Sequence, residues 1–153
     1  MSQWYDSGNA QLATGLDWTS ADVRAIALNG YDSAPAGNNN FADTQPNVST
    51  ILGLAGVQEI GRTAAAIAGR TVVAGTDPSI QEFRAPQFTI PHTLGTNPDI
   101  QAILYYLHVG ADSSNIPLCV IDDTGGGAGT MAITTNGADI TVNAAVIGSQ
   151  SRT

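Results

Sequence analysis

The sequence predicts an all-β fold: an antiparallel β-sandwich or jelly-roll-like barrel of about six to eight short strands, with a short helix near the N-terminus. Three observations predict it. Short apolar stretches recur along the 153 residues, separated by turn-forming Gly, Pro, Asn and Asp, with 17 Gly and 7 Pro in all. No segment sustains a long helical period. The stretch 100–109, Ile-Gln-Ala-Ile-Leu-Tyr-Tyr-Leu-His-Val, is apolar on both faces, as in a strand buried on two sides. No internal repeat and no linker divides the chain, so residues 1–153 form one domain. A chain of this length buries about 68–70% of its unfolded surface, enough for a core without disulfide or metal staples.

From the N-terminus, residues 5–16 place Leu12, Ala13 and Leu16 on one helical face, but Gly8 and Gly15 weaken it, which leaves a short helix or a loop. Residues 23–28 read as a strand closed by Asn29-Gly30, a turn signal. Residues 31–47 are rich in turn formers and read as a long loop, the kind that often carries function or an interface, pinned by Phe41. Val48 to Leu54 fits a single helical turn or a short strand. Residues 58–67, 71–74 and 80–90 are β-compatible, and Pro86 places the last at an edge or bulge. Ile116 to Ile121 is another apolar strand, and 130–134 with 139–147 would flank a hairpin turn at Thr135-Asn136-Gly137-Ala138.

The balance of charge excludes several function classes. Thirteen acids stand against five basic residues, all arginine, for a formal charge of −8. A chain without lysine has no Walker lysine, no Schiff-base lysine and no Ser–Lys pair. Five scattered arginines make no basic stripe for nucleic acid or an anionic membrane, and no apolar run reaches the length of a membrane span. The first residues have neither a positive region nor an apolar core, so no secretion signal is expected.

Few residues suggest chemistry. His92 falls in a loop and His108 at the end of the most apolar strand; each is read as structural, because a catalytic base also needs a nucleophile and an orienting acid. Asp112, Asp122 and Asp123 would suit a hard cation, yet adjacent aspartates on a strand point to opposite faces, so a turn capped by their side chains is preferred and no metal is expected. The glycines of 125–129 precede no helix and read as a hairpin tip rather than a phosphate cradle. Cys119, between Leu118 and Val120, reads as a buried thiol. Asn47-Val48-Ser49 is a glycosylation sequon by pattern alone. No catalytic residue and no cofactor is expected. Trp4 and Tyr5 are either an exposed anchor for a partner or a sugar, or residues that fold back to close the core. Together with Phe41 they are the candidate partner-binding residues.

Trp4-Tyr5-Asp6-Ser7-Gly8, then Leu12-x-x-Gly15-Leu16-Asp17-Trp18 and Asp22-Val23-Arg24-Ala25-x-x-Leu28, resemble the opening of a group of short all-β structural proteins of tailed bacteriophages. Phe88, the strand at 102–107, the strand from Ile116-Pro117-Leu118 to Ile121-Asp122, and Asn136-Gly137-Ala138-Asp139-Ile140 match more loosely. Residues 34–75 show no match. The resemblance implies a virion protein without enzymatic activity, made in the bacterial cytoplasm, that decorates or cements the outer surface of the head. Its partners would be the major capsid protein and copies of itself, with a trimer favoured. A neck, tail or fibre component is the alternative within the particle, and a carbohydrate-binding module the alternative of another class.

Overall fold

A computed structural model describes residues 2–31, 44–122 and 133–151. Among them the chain is all-β and sandwich-like, with ten strands in three antiparallel sheets and two short helices. The strands are β1 (Ser2–Trp4), β2 (Val23–Asn29), β3 (Gln58–Arg62), β4 (Thr71–Ala74), β5 (Ile80–Ala85), β6 (Phe88–Ile90), β7 (Ala102–Leu107), β8 (Ile116–Ile121), β9 (Ile140–Val142) and β10 (Ala145–Ser151). The helices are α1 (Asp6–Ala13) and α2 (Val48–Leu52).

The main sheet has the order β1-β8-β7-β2-β3. Its three central strands are the three most apolar stretches of the chain, and both of their faces are buried. Val23, Ala25, Ala27, Ile103, Tyr105 and Cys119 pack against Phe83, Ala85, Ile90 and Ile147 from the smaller sheets. Ile26, Leu28, Leu104, Tyr106 and Val120 face the other way, onto Val48 and Ile51 of α2 and onto Tyr5 and Tyr31. The helix α2 resolves the ambiguity at 48–54. The Asn47 side chain accepts the Thr50 amide at 3.0 Å, while the Val48 and Ser49 amides bond to the carbonyls of Asn115 and Asp112.

The N-terminal segment is fastened to β8. β1 pairs Trp4 with Cys119, the Tyr5 amide reaches the Leu118 carbonyl at 3.0 Å, and Ser7 Oγ donates to the Pro117 carbonyl at 2.8 Å. Gly8 is buried within α1 because its backbone lies directly on Leu118, where any Cβ would overlap the Leu118 carbonyl.

The remaining strands form one ribbon that breaks midway. β10 pairs with β5, and β9 pairs with β6. Ala145 lies opposite Ala85 and Val142 opposite Phe88, so Pro86-Gln87 on one arm face Asn143-Ala144 on the other. Proline has no N–H to offer the ladder, and the ribbon parts there into a three-stranded sheet, β10-β5-β4, and a two-stranded one, β6-β9. The stretches 80–90 and 139–147, each read from sequence as one strand, are therefore two strands each. With β1, this raises the count above the expected six to eight.

The hairpin expected at Asn136-Gly137 is not the pairing found. Gly137 makes the turn with φ of 83°, but the arm beyond it, β9, pairs with β6 and not with residues just before the turn. Ile133 bridges Ile100 instead. A turn signal reports local backbone geometry, and the pairing partner of β9 is about 50 residues upstream in sequence. Residues 130–132 lie outside the described residues.

Candidate functional site

The residues proposed from sequence to bind a partner are not gathered on an outer surface. Tyr5 is fully buried, with its hydroxyl 2.7 Å from that of Tyr31 beneath the main sheet. Burial and the nearby Tyr31 push its pKa far upward, with a smaller contribution from Asp122. Trp4 is half-buried: its ring lies 6.3 Å from that of Phe83 and against Gly148, and its Nε1 donates to the Ile147 carbonyl at 3.2 Å. Of the two readings offered for this pair, folding back into the core is the one the structure displays. β1 adds to β8, and alternation along the chain then sends Trp4 to one face and Tyr5 to the other. Phe41 lies outside the described residues.

The titratable candidates are dispersed. His92 and His108 are part-buried; His92 Nε2 and His108 Nδ1 have no hydrogen-bond partner among the described residues, and the His108 ring meets the Tyr106 ring edge-on at 6.4 Å. Among the described residues neither imidazole is hydrogen-bonded to a side chain able to act as nucleophile, and it is the His92 backbone amide that donates to Asp139, at 3.3 Å. The Cys119 thiol is buried and its pKa pushed up by that burial, which makes it unreactive. No group of three or more His, Cys, Asp or Glu able to hold a metal occurs among the described residues.

One of the aspartates differs from its expected setting. Asp122 is buried at 1% exposure, not displayed on a turn: it follows Val120 by two residues, shares its face, and lies near the Tyr5–Tyr31 pair. Asp123 and 125–129 lie outside the described residues. Asp112 belongs to a clamp in which Arg62 bonds both Glu59 oxygens, at 2.6 and 2.5 Å, and both Asp112 oxygens, at 2.8 and 2.9 Å. The Arg62 hydrogen bonds hold the Asp112 pKa below the ordinary carboxylate value. Asn115 donates to Asp112 at 3.1 Å and accepts the amides of Val109 and Gly110, so the clamp ties the loop after β7 to β3. Its two carboxylates are engaged by arginine, which suits structure rather than proton transfer.

The concave feature that sequence reasoning missed lies where the ribbon breaks. A groove of about 360 Å³ runs between the main sheet and the arm from β9 to β10. Ile100, Ile103, Ile121, Ile133, Ile140 and Val142 give it apolar walls, and Asn143-Ala144, the residues opposite Pro86, form part of its rim. Tyr105 also lines it, with its ring edge-on to Phe88 at 6.0 Å and a buried hydroxyl that has no hydrogen-bond partner among the described residues. Burial pushes the Tyr105 pKa far upward, so the hydroxyl stays neutral and able to donate or accept. A volume of this order, mostly apolar with Tyr105, Thr141 and Asn143 as its polar side chains, admits an apolar side chain or a compact ligand. One signal for it was visible in sequence, Pro86, which marks the break; the distant strands that meet there were not.

No family model matches the chain, and neither a curated protein nor a solved structure matches it.

Proposed function

We propose that this chain is a non-enzymatic structural protein of a tailed-bacteriophage virion, a decoration or cement subunit that binds the major capsid protein and stabilises the head shell. The observation that supports this reading most is where the residues that resemble such proteins sit. Trp4, Trp18, Val23 and Ala25 pack between the sheets, Tyr5 is buried on the other face of the main sheet, and Gly8 seats α1 against β8. The residues that carry the resemblance are therefore structural ones, as suits a protein built for assembly. The apolar groove at the ribbon break supplies a recess for a partner's side chain, and the acidic, lysine-free composition suits an exterior position away from packaged DNA. Self-association as a trimer is part of the proposal.

Quantitative mass spectrometry of purified particles whose genome encodes this chain tests it, by copy number relative to the major capsid protein. A number comparable to that of the capsid protein supports the shell-covering role. A few copies per particle would replace it with a neck, tail or fibre role, and absence from particles overturns it.

A further inference from the structure

The edge of β4 is built differently from two other edges of the sheets. β10 has its free side sealed by Trp4, which bonds the Ile147 carbonyl and lays its ring on Gly148. β3 has its free side met by Thr93, whose amide and hydroxyl bond the Ile60 carbonyl at 3.0 and 3.2 Å, and it carries the charged pair Glu59 and Arg62. Among the described residues β4, Thr71-Val72-Val73-Ala74, pairs only with β5. It has no charge, no proline and no bulge, the devices that ordinarily keep such an edge from pairing again. Thr71, Val72 and Ala74 are exposed, Val72 at 38%.

The hydrogen-bond phase of this edge follows from one bond. The Gly75 amide reaches the Ile80 carbonyl at 2.9 Å, which makes that opposed pair a bonded one. In an antiparallel ladder bonded and non-bonded pairs alternate, so Val73 and Thr71 turn their N–H and C=O toward β5, while Val72 and Ala74 turn theirs outward.

We infer that β4 is a self-association edge, at which the β4 of a second copy pairs antiparallel about a two-fold axis through Val73. That register sets Val72 opposite Ala74 of the second copy on each side of the axis and satisfies four outward backbone bonds. It extends the sheet β10-β5-β4 into a six-stranded one. A second copy is the occupant that fits, because the strand is self-complementary in this register: small uncharged residues meet small uncharged residues. Glu82 and Arg84 on the neighbouring strand pair with each other at 2.6 Å within each copy, so the strand beside the joint carries an ion pair rather than single charges. The contact is isologous, and thus different from one that would close a trimer. Its area is small, so it is a weak association, seen at high protein concentration. It stands whether or not the virion reading does.

Sedimentation velocity over a concentration series reaching roughly 1 mM, a range suited to weak pairs, is the first test. The native chain is expected to show a concentration-dependent dimer. Val72→Pro removes an outward N–H and leaves the β5 ladder intact, and it is expected to weaken the dimer at least tenfold with an unchanged circular dichroism spectrum. Ala74→Lys, which puts a charge on the edge, is expected to do the same and serves if the proline variant fails to fold. Val73→Cys sets two thiols across the axis in a non-bonded pair, and mild oxidation should give a covalent dimer, since Cys119 is buried. A native chain that stays monomeric throughout overturns the inference. So does a dimer that persists in Ala74→Lys, or a Val73→Cys chain that does not cross-link.

Discussion

The main sheet and the broken ribbon are made from similar apolar residues, yet they pack to different standards. Along β7, Ala102, Ile103, Leu104, Tyr105 and Tyr106 are all buried, because each face meets its own layer of side chains. Along β9, Ile140 and Val142 are half-buried and border an open groove. The difference comes from continuity of the ladder. Where every residue can donate and accept, strands stack into a continuous surface that another layer can cover. Where Pro86 interrupts the pairing, the two arms diverge and the covering layer is incomplete. Dense packing and concavity are thus allotted to separate regions of one small domain.

Substitutions of like kind in the two regions break or sharpen this contrast. Leu104→Ala, at a fully buried centre, is expected to cost about 3–4 kcal/mol by urea denaturation, whereas Ile140→Ala beside the groove is expected to cost about 1–2 kcal/mol. Equal costs would remove the distinction. Gly8→Ala comes next, at about 2 kcal/mol of destabilisation. Alanine is the better helix former by up to about 1 kcal/mol, but the added Cβ overlaps the Leu118 backbone, and overpacking of that kind costs about 1–3 kcal/mol.

Acid should act on the clamp and loops that brace the main sheet. The Asp17 carboxyl is held at about 2 by hydrogen bonds from Ser20 and Thr19, and Asp112 is held down by Arg62. Folded values below the ordinary 3.8 mean stability fully present above that pH and lost as pH falls toward 2. Thermal melts between pH 5 and 2, ordinary conditions for carboxylate titration, should therefore drop, and Asp112→Asn should make the drop shallower. The smallest effect is expected in the groove. Tyr105→Phe removes a buried hydroxyl that bonds to no described residue, and it should be neutral or stabilising by about 1 kcal/mol in the same denaturation experiment. A loss of 2 kcal/mol or more would mean that the hydroxyl has a partner.

Much of the main sheet was legible in the sequence, and the ribbon was less so, for physical reasons. β2, β7 and β8 announce themselves because a strand covered on both faces needs an unbroken apolar run. The Asn47 cap was present as a residue type, but α2 is five residues long, too short for a helical period to outweigh a strand reading. β1 has three residues and no pattern; only its register against Cys119 to Ile121 makes it a strand. The pairing of β9 with β6 depends on residues about 50 positions apart, which no local motif encodes. Pro86 was recognised as an interruption, though the groove it opens also needs Tyr105 and Ile121 from the other sheet. Trp4 and Tyr5 admitted an outward or an inward reading, and strand alternation beside β8 decided between them.

The arrangement around Phe83 has a spectroscopic consequence. The chain has two tryptophans, and both contact this one ring, Trp4 at 6.3 Å and Trp18 at 5.9 Å between centroids. Phe83 belongs to β5, while Trp4 ends the strand added to the main sheet and Trp18 packs in the same core. Intrinsic fluorescence of the native chain is therefore a gauge of how closely the two layers are seated. A red shift in emission excited selectively at tryptophan would register their parting, and that signal would not follow rearrangement around α2 on the opposite face, where only tyrosines pack among the described aromatic residues.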